Sequence, residues 1–363
     1  MTEASIRVAL LGTGAMGEEI ARLVMAKRGL ALVGAHARRA ARAGLDLGTT
    51  FGWEREAGVA ISTDLAELVD RTRPAIALQA TCSTLTDAWE EIEVLVRRRV
   101  RVVSIAEELA FPWARWPGRA RALDALAREH GVAVLGTGVN PGFVLDLLVV
   151  ALSGVCHAIQ SIRATRVNDL SPYGPTVLRS QGVGLSPAEF RAGVERGEVV
   201  GHVGFPESIA MIAAALGWQM SEVRETREPI VSSVARHTPF VAIRPGDVAG
   251  CLHSATAVRR DGEGRIELIH PQQIVPQAEG VSTRDEIVIE GTPRVALSGS
   301  PEIPGGIATT ALAVNLIPHV LAAQPGLVSA IDLPVPAALL GDARRAVERL
   351  RRGALGVGGS RGS

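Results

Sequence analysis

The feature that most constrains the fold is a glycine-rich turn between a predicted strand and a predicted helix at the start of the chain. Residues 6–11 form an apolar run, and Gly12, Gly14 and Gly17 follow with G-x-G-x-x-G spacing. In dinucleotide-binding domains the first glycine permits the turn, the second lets backbone approach a pyrophosphate, and the third allows close helix packing. The alternative is a glycine-rich connection without a ligand. The predicted dinucleotide contacts are Gly12, Thr13, Gly14, Ala15, Met16 and Gly17.

The segment up to residue 140 alternates predicted strands with predicted helices. Strands joined through helices form parallel sheets with both faces covered, the doubly wound α/β arrangement. We therefore predict that residues 1–140 form a Rossmann dinucleotide-binding domain of the α/β class. Its predicted strands lie at 6–11, 30–35, 58–62, 74–80, 100–104 and 132–137.

The pattern changes after residue 140. Predicted strands, including one at 274–277, now follow one another without long helices, which is typical of an antiparallel or mixed sheet. We predict that residues 141–306 form an α+β domain that binds substrate and mediates dimerisation. Residues 307–352 are predicted to be helical and to return to the Rossmann side. Residues 353–363, rich in glycine and serine, are predicted to be disordered.

The composition narrows the class of protein. The 363 residues are 47% hydrophobic and 21% charged, with zero net charge, which indicates a globular protein and argues against nucleic-acid binding. No apolar run reaches the roughly 18–20 residues of a membrane span, and no signal pattern precedes the first strand. Cys82, Cys156 and Cys251 lack metal-ligand spacing. We expect a cytoplasmic protein without a metal ion, a nucleic-acid partner or a membrane partner.

The end of the second predicted strand bears on the choice between NAD and NADP. Enzymes that use NAD usually place a carboxylate there to hold the ribose 2′-hydroxyl. This chain has His36, Arg38 and Arg39 instead, and no carboxylate before Asp46. Arginines attract a 2′-phosphate and bind it through two hydrogen bonds. NADP(H) is therefore favoured over NAD(H), whereas solvent-exposed arginines would leave the site indifferent between them.

Polar residues follow two further predicted strands at the edge where parallel sheets bind ligands. Thr81, Cys82 and Ser83 follow the strand at 74–80 and are predicted to lie near the nicotinamide ribose. Glu107 and Glu108 follow the strand at 100–104. A partly desolvated carboxylate here would have a raised pKa and would transfer protons. We give slight preference to Glu108 as the catalytic residue, with Glu107 as the other candidate and as a cofactor contact. The alternative is that the pair caps the next helix or is solvated.

A second glycine-rich turn spans residues 136–143. Asn140 precedes Pro141 and is therefore held extended, so that its amide is placed to bind the nicotinamide carboxamide or ribose. Pro141 is included with the cofactor contacts, and Phe143, which ends the turn, with the substrate contacts. The alternative is a plain connection between domains.

With these residues in view, the chain resembles the 2,4-diaminopentanoate dehydrogenase family, which includes the native amine dehydrogenases and has a Rossmann domain similar to that of dihydrodipicolinate reductase. The paired histidines and lysine of that reductase are not evident, so its substrate is not expected. The matching stretches occur in order along nearly the whole chain, at 8–17, 104–112, 136–143, 201–208, 308–318, 325–327 and 332–334.

The resemblance implies an NAD(P)H-dependent amine dehydrogenase. Such an enzyme reversibly deaminates an amine that is not an α-amino acid amine, and in reverse aminates a ketone or aldehyde with ammonia. The family's essential glutamate follows the fifth strand, which corresponds to Glu107 and Glu108 here. The resemblance also assigns Arg166, Asn168 and His270 to the substrate pocket.

Two other functions stay open. One is an NADP-dependent dehydrogenase of an amino acid, or of a carbonyl or hydroxyl substrate, that needs no ammonia. The other is a non-catalytic NADPH-binding sensor, against which the intact run 104–112 argues, because a sensor needs no carboxylates there. We expect a homodimer, since two-fold pairs are the commonest assembly.

Overall fold

The computed structural model of the protein describes residues 4–354. The chain forms two compact units: unit 1 contains the residues up to Gly142 together with those from Gly305 onward, and unit 2 is Phe143–Pro304. Residues 355–363, most of the glycine-rich segment predicted to be disordered, lie outside the described residues.

Unit 1 is built from parallel strands connected largely by helices. Its strands are β1 (Ile6–Leu11), β2 (Leu30–His36), β3 (Ile61–Ser62), β4 (Ile76–Gln79), β5 (Arg101–Ser104), β6 (Ala133–Gly136) and β15 (Gly326–Val328). Its helices are α1 (Ala15–Ala26), α2 (Leu47–Thr50), α3 (Leu65–Thr72), α4 (Leu85–Arg97), α5 (Pro117–Glu129), α10 (Gly305–Asn315), α11 (Ile317–Ala322) and α12 (Ala343–Ala354).

The sheet of unit 1 has the order β15-β6-β5-β4-β1-β2-β3, and all its neighbouring strands are parallel. Residues 8–11 of β1 and 76–78 of β4 are fully buried apolar runs, as expected for strands covered on both faces. The order reverses between β1 and β4, the position where doubly wound sheets bind ligands. The predicted α/β class with a Rossmann sheet is confirmed.

The stretch Gly305–Ala322 corrects the expectation that no segment is long and apolar enough for a membrane span. Its mean hydropathy is 1.4 over 18 residues, and half of it is buried within the structure. Glycine, threonine and asparagine interrupt its apolar residues, so the stretch is not a continuous apolar run. In unit 1 its first part, α10, packs on α1, and α11 packs on β5, β6 and α12, as the core helices of a folded domain do.

Unit 2 contains a mixed sheet of six strands with the order β14-β13-β7-β12-β11-β8, in which only the β12–β7 pair is parallel. These strands are β7 (Ala158–Asp169), β8 (Arg224–Val231), β11 (Val248–Val258), β12 (Arg265–Gln273), β13 (Arg284–Thr292) and β14 (Val295–Gly299); β9 (Arg236–His237) and β10 (Ala242–Ile243) form a small separate pair. Its helices are α6 (Leu147–Ser153), α7 (Pro175–Ser180), α8 (Pro187–Glu195) and α9 (Phe205–Leu216).

The strand predicted at 274–277 is wrong. β12 ends at Gln273, Val275 has a positive φ of 45°, and Pro276 begins a short 3-10 helix, Pro276–Glu279. A proline has no N–H to give to a strand ladder, so the apolar residues before it mark the end of a strand rather than a new one. Dimer formation and cytoplasmic location stay predictions.

Candidate functional site

The glycine-rich turn after β1 is held in shape by close backbone contacts. Gly12 has a φ of +104°, and a Cβ there would lie 2.4 Å from the carbonyl oxygen of Ala80. A Cβ on Gly17 would lie 2.0 Å from the carbonyl oxygen of Gly12. A Cβ on Gly14 would meet no atom within 4 Å. The turn therefore admits only glycine at its two packed positions and leaves the N-terminus of α1 open to an anion.

Four loops of unit 1 lie side by side at the carboxyl edge of its sheet. The backbone N–H of Ala80 donates to Leu11 at 2.8 Å, and that of Ile105 donates to Gln79 at 3.0 Å. The N–H of Thr137 donates to the carbonyl oxygen of Ser104 at 2.8 Å. The glycine-rich turn, Thr81–Ser83, Glu107 and the second glycine-rich turn therefore follow one another along this edge.

A cavity of about 280 Å³ opens at the glycine-rich turn. The half-buried Arg42 lines it and donates to the hydroxyl of Thr13 at 2.5 Å as well as to the Thr13 carbonyl oxygen. Arg39 is exposed at its rim. Sequence reasoning missed Arg42, although its position one turn after Arg38 and Arg39 was a usable signal. The lining residues are Gly12, Thr13, Gly14, Ala37, Arg38, Arg39, Arg42, Ala80 and Thr81.

Arg38 is bound to the protein and is not a free cation at the end of β2. Its Nε donates to the carboxylate of Glu91, on α4, at 2.7 Å. This bond raises the pKa of Arg38. His36 is buried, and its Nδ1 lies 3.0 Å from the carbonyl oxygen of Ser62. Burial lowers the pKa of His36, so the ring is neutral at neutral pH. The predicted contact of Arg38 with a 2′-phosphate stays a prediction, now of an arginine whose charge is shared with Glu91.

Glu107 begins a 3-10 helix, Glu107–Leu109, just after β5. Its side chain is partly buried and is hydrogen-bonded to the hydroxyl of Ser83. Burial raises the pKa of Glu107 to about 6, the charge of Glu108 acts in the same direction, and the Ser83 hydroxyl opposes the shift. A carboxyl group with this pKa is mostly ionised at neutral pH but is protonated far more readily than an ordinary glutamate, which suits it to both accept and donate a proton.

This position of Glu107 depends on a glycine in the neighbouring strand. A Cβ on Gly136, at the end of β6, would lie 2.0 Å from the carbonyl group of Leu109. The absence of a side chain there lets the 3-10 helix lie directly against the end of β6.

The Glu108 side chain is engaged in hydrogen bonds that stabilise unit 1. Its Oε2 accepts hydrogen bonds from the backbone N–H of Leu85 at 2.8 Å and from the indole N–H of Trp116 at 2.9 Å. Leu85 is the first residue of α4, so Glu108 satisfies one of the free N–H groups at that helix N-terminus. The slight preference for Glu108 as the catalytic residue is therefore not supported, because both of its bonds serve to hold α4 and Trp116.

Replacement of Glu108 by alanine is expected to destabilise the fold. Glu108 is only 8% exposed, and its removal leaves the Leu85 N–H and the Trp116 indole N–H without their acceptor. We expect a loss of about 1–3 kcal/mol in the free energy of unfolding, measured by urea denaturation. Glu108→Gln retains a carbonyl acceptor and should lose less. An alanine variant as stable as the wild type would show that these bonds do not stabilise the fold.

The second glycine-rich turn offers an unpaired amide. Both polar atoms of the Asn140 side chain are buried, and neither has a hydrogen-bond partner within residues 4–354. The Asn140–Pro141 peptide is cis. The N–H of Val139 donates to the hydroxyl of Thr309, on α10, at 3.0 Å, which anchors the turn. Buried amides almost always have partners, so this one is available to a ligand.

In unit 2, a row of polar side chains crosses the sheet. In the strand register, His253 on β11 lies opposite His270 on β12, and Arg166 on β7 lies opposite Asp285 on β13. Arg166 is 2% exposed, and it donates to the Asp285 carboxylate at 2.7 Å and to the Ile303 carbonyl oxygen. The charge of Arg166 is therefore balanced inside unit 2.

His202, in the loop before α9, packs on this row. Its ring centre lies 4.9 Å from that of His270 and 5.0 Å from that of Phe205. Burial, reinforced by neighbouring positive charge, lowers the pKa of His202 to about 3 and that of His270 well below its usual value. Both rings are therefore neutral. The sequence predicts that the run 201–208 is a loop that enters a helix and lines the pocket, but it does not single out His202 as a substrate contact.

Four buried polar atoms of this cluster have no hydrogen-bond partner among the described residues: both ring nitrogens of His270, Nε2 of His202 and Oδ1 of Asn168. The cluster is therefore a buried polar site in which a ligand would supply hydrogen bonds to these unpaired nitrogen and oxygen atoms. Phe143 lies at the start of unit 2, ahead of α6, and is half-buried. Among residues 4–354, no group of three or more His, Cys, Asp or Glu side chains is arranged to hold a metal ion.

Comparison with known families shows which family the chain belongs to. Residues 143–349 match the 2,4-diaminopentanoate dehydrogenase C-terminal domain. The chain belongs to the 2,4-diaminopentanoate dehydrogenase family. Residues 6–104 also match the N-terminal part of dihydrodipicolinate reductase, in agreement with the Rossmann sheet of unit 1. The family membership expected from the sequence motifs is confirmed, and the chain is an oxidoreductase with a nicotinamide cofactor.

Individual relatives of the 2,4-diaminopentanoate dehydrogenase family align with nearly the whole chain. The 2,4-diaminopentanoate dehydrogenase of Acetoanaerobium sticklandii is 42% identical over 93% of this chain and 96% of its own length. The amine dehydrogenase of Streptomyces virginiae is 27% identical over 92% of this chain and 98% of its own. The structure of an amine dehydrogenase from Mycobacterium smegmatis superposes with a TM-score of 0.80 at 30% identity, covering 92% of this chain and 97% of that one.

Proposed function

We propose that this member of the family is an NAD(P)H-dependent amine dehydrogenase that uses Glu107 to transfer protons. It would oxidatively deaminate an amine that is not an α-amino acid amine, and in reverse aminate a ketone or aldehyde with ammonia. The observation that carries the proposal is the partly buried Glu107 carboxyl, with its pKa raised to about 6, at the loop edge that contains the glycine-rich turn. The names of the relatives support an amine substrate.

The residues of unit 1 fit a nicotinamide dinucleotide. The open space at Gly14 suits a pyrophosphate at the N-terminus of α1, and the unpaired amide of Asn140 suits a carboxamide group. The end of β2 carries no carboxylate, and Arg39 and Arg42 line the adjacent cavity. We propose on this basis that NADP(H) is favoured, with NAD(H) as the alternative.

In the direction of oxidation, the protonated amine substrate, one water molecule and the oxidised cofactor are converted to the carbonyl product, ammonium, the reduced cofactor and one proton. The bound cofactor supplies the hydride acceptor. Glu107 takes a proton from the substrate ammonium, which frees the nitrogen lone pair to stabilise the developing iminium carbon. Glu107 releases this proton to solvent, and the regenerated carboxylate stabilises the iminium charge. It then takes a proton from the attacking water and passes it to the carbinolamine nitrogen, and it takes the hydroxyl proton as the carbonyl forms and gives it to the departing ammonia, which leaves as ammonium.

The polar cluster of unit 2 is proposed to recognise the substrate. A ligand with additional polar groups would satisfy the unpaired nitrogens of His202 and His270 and the unpaired oxygen of Asn168. The relative that is 42% identical is named for 2,4-diaminopentanoate, which carries a carboxylate and a second amine besides the reacting one. We therefore propose amines that bear an additional polar group as the substrate class.

An activity screen of the full-length protein tests this function. NADP⁺ and NAD⁺ are each combined with 2,4-diaminopentanoate, a simple alkylamine, an α-amino acid and an alcohol, and in reverse carbonyl compounds are tested with and without ammonium. We expect oxidation of the diamine, faster with NADP⁺, and carbonyl reduction only when ammonium is present. Ammonium-independent reduction would indicate the rival dehydrogenase. Tight NADPH binding without turnover of any substrate would indicate a sensor.

A further inference from the structure

Glu91 is a buried carboxylate of unit 1 that the proposed mechanism does not use. It lies on α4 and is 7% exposed. One of its oxygens accepts from Nε of Arg38 at 2.7 Å. The other accepts from the hydroxyl of Thr81 at 2.5 Å and from the side-chain amide of Gln79 at 3.3 Å. Each donor lies at or just beyond the end of β2 or β4.

Arg38 is held at a fixed place in the cofactor site by these and further bonds. Its Nη2 donates to the carbonyl oxygen of Asp87 at 2.7 Å and to the hydroxyl of Thr81 at 3.2 Å. The Arg38 side chain is nevertheless 45% exposed, and it lines the cavity at the glycine-rich turn together with Arg39 and Arg42. The guanidinium of Arg38 is thus accessible to a ligand, while the Glu91 carboxylate that it is paired with is buried.

We infer that Glu91 sets the selectivity between NADP(H) and NAD(H) by compensating the charge of Arg38. The inference rests on the cofactor assignment of the proposed function. A 2′-phosphate near Arg38 meets an ion pair and not an isolated cation, so the attraction from Arg38 is largely cancelled by Glu91. Arg39 and Arg42 then supply most of the attraction for the phosphate. NAD(H) has no phosphate at that position, so its affinity does not depend on the net charge of the Arg38–Glu91 pair.

The test is a fluorescence titration of NADPH and NADH against the full-length wild type and Glu91→Gln, without amine substrate. Glutamine keeps an oxygen acceptor for Arg38 and removes the charge, while its amide N–H₂ replaces the oxygen that accepts from Thr81 and Gln79, a change that acts on both cofactors alike. We expect NADPH to bind roughly three- to tenfold more tightly and the affinity for NADH to stay within about twofold. Equal changes for both cofactors, or weaker NADPH binding, would overturn the inference, because a merely structural role of Glu91 affects both cofactors alike.

Arg38→Gln provides the matched control and keeps the inference testable if Glu91→Gln does not fold. Alone, it leaves the negative charge of Glu91 beside the phosphate and should weaken NADPH binding more than NADH binding. Combined with Glu91→Gln, it should remove the gain in NADPH affinity. If the selectivity shifts as expected but no amine is oxidised, the inference holds and the proposed function fails. If the wild type binds neither cofactor, both are wrong.

Discussion

Replacement of Glu107 by glutamine is expected to lower kcat for amine oxidation by roughly 10²- to 10⁴-fold, the usual contribution of a general acid–base group. Glutamine has nearly the shape of glutamate and keeps an acceptor for the Ser83 hydroxyl, but it cannot take up or release a proton. The affinity for NADPH should change little, because the glycine-rich turn and its arginines are untouched. Steady-state kinetics with saturating cofactor and a fluorescence titration of NADPH provide the two measurements.

Glu108→Gln is the matched control for this prediction, since it makes the same chemical change one residue away. The Glu108 side chain holds Leu85 and Trp116, so its glutamine variant should retain most of kcat. The assignment would be contradicted if Glu107→Gln kept near-full turnover. Loss of turnover in the Glu108 variant alone would restore Glu108 as the catalytic residue.

Replacement of Gly14 by valine is expected to weaken cofactor binding strongly without loss of the fold. A Cβ at this position meets no protein atom within 4 Å, and the backbone there is extended, with φ −91° and ψ −170°. The side chain would instead occupy the space proposed for the pyrophosphate. We expect the Kd for NADPH to rise at least about tenfold, equivalent to about 1.4 kcal/mol, with little change in melting temperature.

Gly17→Ala is the contrasting variant on the same turn. Its Cβ would lie 2.0 Å from the Gly12 carbonyl oxygen, so the turn itself must move, at a cost of about 1–3 kcal/mol of overpacking. The two variants therefore separate a glycine needed for the fold from a glycine needed for the ligand. Wild-type NADPH affinity in the Gly14→Val variant would rule out the glycine-rich turn as the pyrophosphate site.

The Rossmann unit was predictable because its information is local. The spacing of Gly12, Gly14 and Gly17 and the alternation of apolar runs with helices specify the parallel sheet without reference to distant residues. The strand predicted at 274–277 failed because periodicity alone does not show where a strand stops, and the decisive residue was Pro276.

The identity of the working side chains was less predictable because it depends on contacts distant in sequence. Glu107 and Glu108 are adjacent, and residue type and spacing alone favoured Glu108 only slightly. They are distinguished by Leu85 and Trp116, which engage only Glu108. In the same way, the partner of Arg38 lies 53 residues away on α4, so the composition of the β2 end alone overstated the free positive charge.

The most direct test of the account is the pH dependence of kcat for amine oxidation, measured from pH 5 to 8 for the wild type and Glu107→Gln side by side. Burial raises the pKa of Glu107 to about 6, and the protonated carboxyl cannot accept the substrate proton. The wild-type kcat should therefore be level above about pH 6 and fall about tenfold per pH unit below it. We expect the Glu107→Gln variant to be slow and to lack this acid limb. A variant that keeps both near-wild-type kcat and the acid limb would contradict it.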